Sequence, residues 1–374
     1  MSPRRLVLAI AVLGLAAGTA LPSFADPGHG NGHAYAYGHQ KQADRAEDDA
    51  CTGDPSQVQT LTYDVQGQTA TALYALPAGT PKGVVVFDHG YGHTMYSWAE
   101  HITRTASQLG VIAVAPDYRG QIDTPGAAGK LPSSRGWQVA EGAADSIAAV
   151  QLFDAECGHK GTNVVYGVSM GGNTSGLVVA SKPKDSKGKP LFDYWVAVEP
   201  AVNVTETYQG ARRLAPVNTF AANATADIEK EMGGTFEQKS DVYLDRTVVN
   251  RTQDIVDSGL KGVSIAHGIV DGLVTHDESR QLQALLRAQG MPVDMWSALT
   301  HSKTSEPGTT LDGYAPVPHD SPFAGHASET STTHDVGLAG FAALTGLFQG
   351  ASPTCRETFF DGATGTQRST TTGC

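Results

Sequence analysis

The sequence predicts an α/β protein in which helices are wound on both faces of a mostly parallel sheet. Three observations carry that expectation. Short uninterrupted apolar runs such as Gly83–Phe87 and Val111–Ala115 have the character of strands buried on both faces. Longer segments with apolar residues at helical spacing separate them, so strand and helix alternate over most of the chain. The motifs that carry chemistry fall just after strands, where ligands bind in such sheets.

The first residues belong to a different kind of segment. Arg4 and Arg5 precede an apolar stretch, Leu6–Ala20, which is short for a membrane span. Ser23-Phe24-Ala25 supplies small residues at the −3 and −1 positions of a cleavage site. This pattern predicts an export signal cleaved after about Ala25, and a secreted protein with no stable membrane anchor. Removing residues 1–25 takes away two arginines and no acid, which makes the net charge of −12 more negative still. Such a balance argues against nucleic acid as a partner, because a phosphate-binding surface needs clustered Lys and Arg. Residues 26–50 are rich in Gly, His, Tyr and charge without apolar periodicity, and read as a linker. His29, His33 and His39 lie there as part of a solvated polar tail rather than as metal ligands.

The ordered domain is expected over 51–350. Val58–Val65 and Thr69–Leu76 alternate as a hairpin turning at Gln66-Gly67. Gly83–Phe87 is the first fully buried strand, Ser97–Leu109 a helix stopped by Gly110, and Val111–Ala115 the next strand. Gln138–Phe153 is a helix, Asn163–Val168 a strand, Met170–Ser181 a helix of small residues, and Tyr194–Val198 a strand. Residues 201–258 are longer than a simple crossover, and read either as a cap over the site or as a peripheral excursion. Strand Val263–His267, helix Glu278–Ala288, strand Val293–Ala298 and helix Gly337–Phe348 complete the domain. Residues 351–374 are a C-terminal tail tied by a disulfide. The four cysteines are even in number, and none forms a close metal-binding pair. Cys355 is paired with Cys374, which closes a short loop, and Cys51 with Cys157.

Gly167-Val168-Ser169-Met170-Gly171 is a G-x-S-x-G sequence between a buried strand and a small-residue helix. A sharp turn there lifts the Ser169 hydroxyl out of the sheet. The Met170 N–H, at the helix N-terminus, faces a developing oxyanion. His89-Gly90-Tyr91-Gly92 follows the first buried strand. With these motifs the chain resembles the α/β-hydrolase superfamily, in particular secreted bacterial serine esterases and lipases. The resemblance covers about residues 57–350 and implies the α/β-hydrolase fold.

By that resemblance the Tyr91 N–H is the second oxyanion donor, and His89 braces the loop rather than transferring protons. Tyr91, Tyr96 and Trp98 are candidates for lining an acyl or aryl pocket, with Trp98 equally suited to the core. Asp117-Tyr118-Arg119-Gly120 matches a D-x-R-G segment of the superfamily, read as a loop-bracing ion network. His267-Gly268-Ile269-Val270-Asp271-Gly272 matches its HGxxD segment and makes Asp271 the triad acid, in the order Ser, Asp, His. Helix capping is the other role open to Asp271, and Asp254 and Asp257 are poorer rivals.

Three histidines compete for the base. His301 is preferred, because Leu299-Thr300-His301-Ser302 directly follows the last strand. His326, in Ala324-Gly325-His326, is the alternative. His334 opens the final helix and serves equally as its N-terminal polar residue. The expected chemistry is hydrolysis of a small or polymeric carboxylic ester through an acyl-enzyme on Ser169, with no metal or organic cofactor. A peptide bond is the alternative substrate, and a hydrolase-fold binding protein without chemistry is the third reading.

Overall fold

The computed structural model describes residues 9–12, 51–128, 130–158, 161–299, 325–331, 333–362, 364–372 and 374. Eleven strands among them form one sheet. Ala9–Val12 (β1), inside the leader expected from the sequence, pairs antiparallel with the outer edge of Gln59–Val65 (β2). Strand β2 then turns back into Gln68–Ala75 (β3). Gln66 and Gly67 both take positive φ, 56° and 82°. That is the signature of the two-residue turn whose twist matches a hairpin.

The parallel body follows. Val84–Asp88 (β4), Ile112–Pro116 (β5), Val164–Val168 (β8), Tyr194–Val198 (β9), Gly262–Gly268 (β10) and Val293–Leu299 (β11) lie in the order β5-β4-β8-β9-β10-β11, each parallel to its neighbour. In β4 and β5 every residue is buried, and so is every residue of β8 and β10. Helices on both faces make this necessary. Alternate side chains go to opposite layers: Val84 and Val86 join one core, Val85 and Phe87 the other.

Ala99–Leu109 (α1) and Asp335–Phe348 (α9) cover one face; Val139–Cys157 (α2), Met170–Ala180 (α3), Thr252–Asp257 (α7) and His276–Ala288 (α8) cover the other. Gly110 ends α1 in the left-handed conformation, φ 69°, as its position in the sequence implies. Both expected disulfides are present, Cys51–Cys157 and Cys355–Cys374.

Two features depart from the sequence reading. Ile122–Thr124 (β6) and Ser133–Arg135 (β7) form a separate small hairpin in a stretch too short and polar to register as strand. The C-terminal residues are more than a tail. Arg356–Asp361 (β12) pairs parallel with β11, and Thr366–Thr371 (β13) pairs back antiparallel, extending the sheet. The alternation of β13 is invisible in TQRSTT because all of it faces solvent. The long insertion folds as Val204–Leu214 (α4), Thr219–Met232 (α5) and Phe236–Arg246 (α6), followed by a 3-10 turn at Val248–Arg251. Asn203 and Asn218 cap α4 and α5, each accepting a backbone N–H through its side chain. Among the described residues no helix is long and apolar enough to cross a membrane.

Candidate active site

Five loops at the carboxyl ends of β4, β8, β9, β10 and beyond β11 meet around one pocket. Ser169 leaves β8 with φ 58° and ψ −121°, a conformation L-residues rarely adopt. The surroundings hold it there. Its N–H donates to the Val198 carbonyl at 2.9 Å, and its own carbonyl accepts from Gly172 and Ala201. A methyl on Gly167 would sit 2.1 Å from the Gly171 carbonyl oxygen, and one on Gly171 would sit 2.1 Å from that of Asp88. The two glycines of the motif are therefore packing requirements. Met170 is the first residue of α3, so its N–H has no acceptor within the helix.

Gly90 passes close to Ser169: a β-carbon there would lie 3.4 Å from that of Ser169. Its N–H donates to the Glu329 carboxylate. Tyr91, next in the chain, lines the pocket, and its hydroxyl donates to Asp227 on α5. His89 is fully buried, its Nδ1 3.1 Å from the Gly90 carbonyl and its ring stacked on Tyr118 at 3.9 Å between centroids. Burial pushes its pKa down to about 3, which keeps the ring neutral. It braces the loop. The Tyr118 hydroxyl adds to this by donating to the His89 carbonyl, and Arg119 pairs with Asp145 and reaches the Val65 carbonyl. Tyr96 and Trp98 lie in the second core, with Trp98 against Phe87 at 4.9 Å, and neither lines the pocket.

Asp271 follows β10 by three residues. One carboxylate oxygen accepts the N–H groups of Leu273 and Val274 at 2.8 and 3.1 Å. The other lies 2.6 Å from Nδ1 of His326 and 3.3 Å from Nε2 of His267. Burial opposes ionisation here, yet the adjoining imidazoles of His326 and His267 hold Asp271 well below the usual carboxylate range. For His326, burial alone would favour the neutral ring. Asp271, then Glu199, outweigh it and raise the pKa to about 9. In the neutral ring the bond to Asp271 keeps the proton on Nδ1 and leaves Nε2 with its lone pair. His326 and Ser169 line the same pocket.

His301 lies outside the described residues. His334 is the N-cap of α9, its Nδ1 accepting the Val336 N–H at 3.3 Å. Asp254 is engaged by Lys182 and Arg251 away from the site, and Asp257 accepts from Gln253.

Two carboxylates were not singled out by sequence reasoning. Glu199 is fully buried at the end of β9 beside His326. Its only signal is a charge directly after an all-apolar strand. Glu329 links Gly90 to His93, whose Nε2 is 3.4 Å away. Glu199, Asp271 and His326 also bring ligand-type atoms within 4.8 Å of one another. Those atoms are already engaged with each other and with backbone N–H groups, as expected of a proton-handling cluster.

The pocket holds about 340 Å³. Tyr91 and Trp137 wall one side, and Leu214, Phe220, Ala221 and Ala224 of the insertion wall the other.

This geometry defines a hydrolase of the α/β type. A model of the alpha/beta hydrolase family matches residues 85–328, and the chain belongs to that family. No curated protein matches the sequence. Among solved structures, the chain is similar to a thermostable carboxyl esterase from Bacillus coagulans, with a TM-score of 0.51 and 14% identity, over 78% of this chain and 98% of that one. It is similar to dipeptidyl peptidase 4 of Porphyromonas gingivalis with a TM-score of 0.51 and 12% identity, over 79% of this chain but only 36% of the peptidase. A puromycin hydrolase gives a TM-score of 0.51 at 14% identity, over 78% of this chain and 39% of that one. At these identities the likeness concerns the fold.

Proposed function

We propose that the protein is an exported serine hydrolase that cleaves carboxylic esters through an acyl-enzyme on Ser169, with His326 as base and Asp271 as its acid. The observation that carries this reading is the 2.6 Å bond from His326 to Asp271, in a pocket that Ser169 also lines. On this reading the base is His326, the alternative that the sequence offered beside the preferred His301. In the reaction Nε2 of His326 takes the Ser169 proton as the hydroxyl oxygen attacks the acyl carbonyl. The N–H groups of Tyr91 and Met170 receive the oxyanion. The imidazolium returns its proton to the leaving alcohol, and the acyl-enzyme forms. Water, deprotonated by the same ring, then releases the acid. No step calls for a metal or an organic cofactor.

The apolar walls of the pocket favour an acyl or aryl group over a charged one, and the insertion that supplies half of them serves as the cap. The two disulfides accord with export to an oxidising compartment. A panel of p-nitrophenyl esters of graded acyl length, run beside peptide anilides, tests the substrate class. Ester turnover that falls by at least about 10⁴-fold in Ser169→Ala is the expected result. Anilide turnover exceeding that of every ester would overturn the ester assignment in favour of a peptidase.

A further inference from the structure

Glu199 stands apart from the three residues assigned to proton transfer, yet it touches the backbone on both sides of them. Its own backbone is in the left-handed region, φ 46°, a conformation that is costly for a residue with a side chain. Its N–H donates to the Ala266 carbonyl of β10 at 2.8 Å. One carboxylate oxygen accepts the Gly268 N–H at 3.3 Å, three residues before Asp271. The other accepts the Ala327 N–H, one residue after His326, and lies 3.6 Å from Nδ1 of His326 itself. Gly268 permits this convergence. A methyl there would stand 2.2 Å from the Gly325 carbonyl oxygen and 3.2 Å from Glu199. The strand bearing the acid and the loop bearing the base therefore meet backbone to backbone, with one carboxylate spanning both.

We propose that Glu199 is a positioning residue that fastens the base loop to the acid strand and gives the His326 imidazolium a second counter-charge. The inference rests on the reading of His326 as base. Among the described residues, the charged and titratable groups around His326 are Asp271 from the loop after β10, Glu199 directly after β9, and Glu329 and His334 from its own segment. His267 and His276 bear on it through Asp271, and Tyr166 of β8 bears on Glu199. Burial, relieved in part by His326, raises the pKa of Glu199 itself to about 8. The ionised carboxylate, 3.6 Å from Nδ1, is placed to stabilise the positive ring that forms when Ser169 is deprotonated.

Two isosteric or near-isosteric variants separate the two roles. Glu199→Gln removes the charge and turns one accepting oxygen into an amide facing an N–H. Glu199→Asp keeps the charge but is too short to span Gly268 and Ala327. The readouts are the pH profile of kcat/KM with p-nitrophenyl acetate and the rate of labelling by a fluorophosphonate. In Glu199→Gln the acidic limb should move to lower pH by about one unit, since loss of the negative charge lowers the basicity of His326. In Glu199→Asp the limb should stay in place while kcat falls about tenfold. An unmoved limb in a folded Gln variant would overturn the counter-charge role. If that variant does not fold, a wild-type kcat or a shifted limb in the Asp variant overturns the inference. Absence of labelling in the wild-type protein would instead refute Ser169 as nucleophile, so the two failures are distinct.

Discussion

Ser169, with φ 58°, carries strain of order 1–3 kcal/mol, and the two clashes that forbid side chains at Gly167 and Gly171 show how the neighbourhood sustains it. Gly171→Ala should therefore lose most activity and some stability together, measured as turnover and denaturation midpoint on the same preparation. In the proposed mechanism His326 governs the pH dependence. Its imidazole, pushed up to about 9 by Asp271 and Glu199 against the effect of burial, is a competent base only when unprotonated. Hydrolysis should accordingly rise with pH toward about 9, and a kcat/KM profile already flat from pH 6 would contradict this. The linked stability has the opposite sense. A ring with a raised folded-state pKa stabilises the fold below its unfolded value of about 6.5, and that contribution is lost as pH rises through about 9. His326→Ala should slow phosphonylation by a fluorophosphonate at least about a hundredfold while His301→Ala leaves it intact.

At this scale the sequence was legible where function depends on neighbours in the chain. The glycine spacing around Ser169 and the three-residue step from β10 to Asp271 are local. The choice between His301 and His326 was not, because which imidazole meets Asp271 is a three-dimensional matter that residue count does not determine. Glu199 was missed for the same reason: its partners are 69 and 128 residues away.

The elements divide into those that build the sheet and those that shape the pocket. The strands were legible because burial on both faces leaves an unbroken apolar run. Of the exceptions, β6, β7 and β13 are exposed or at an edge, where nothing forces alternation, and β12 is only part-buried, so its pattern is weak. The insertion helices meet the body through the pocket wall and through Asp227 of α5, which accepts from the Tyr91 hydroxyl and pairs with Arg135 of β7. Truncation of the wall by Phe220→Ala should shift preference toward longer or bulkier acyl groups and raise KM for short ones, with the labelling of Ser169 by a small phosphonate nearly unchanged. Equal losses for every acyl length would argue that the insertion does not contact the acyl group. The disulfides act on the unfolded chain. Cys51–Cys157 closes a loop of 106 residues and Cys355–Cys374 one of 19, worth about 4–5 and about 3 kcal/mol in a chain-entropy account. Replacing the first pair by alanine should lower the denaturant midpoint more than replacing the second, and neither should abolish hydrolysis.

For the molecule as a whole, the central feature is the exchange of order between β5 and β4, which sets β8 in the middle of the parallel body. Because these strands run parallel, the carboxyl ends of β4, β8, β9 and β10 all open at the same end of the sheet. Two apolar layers fix that sheet from both faces, so Gly90, Ser169 and Asp271 are placed by rigid elements, while His326 lies on a loop held by Asp271 and Glu199. The central claim is that Ser169 is acylated with His326 as its base. Peptide mapping after fluorophosphonate treatment tests it most directly, with the wild-type protein beside His326→Ala and Ser169→Ala. A single phosphonyl group is expected on the peptide containing Ser169, formed at least about a hundredfold more slowly in His326→Ala and absent in Ser169→Ala. A label on another residue, or unchanged labelling of Ser169 without His326, would contradict it.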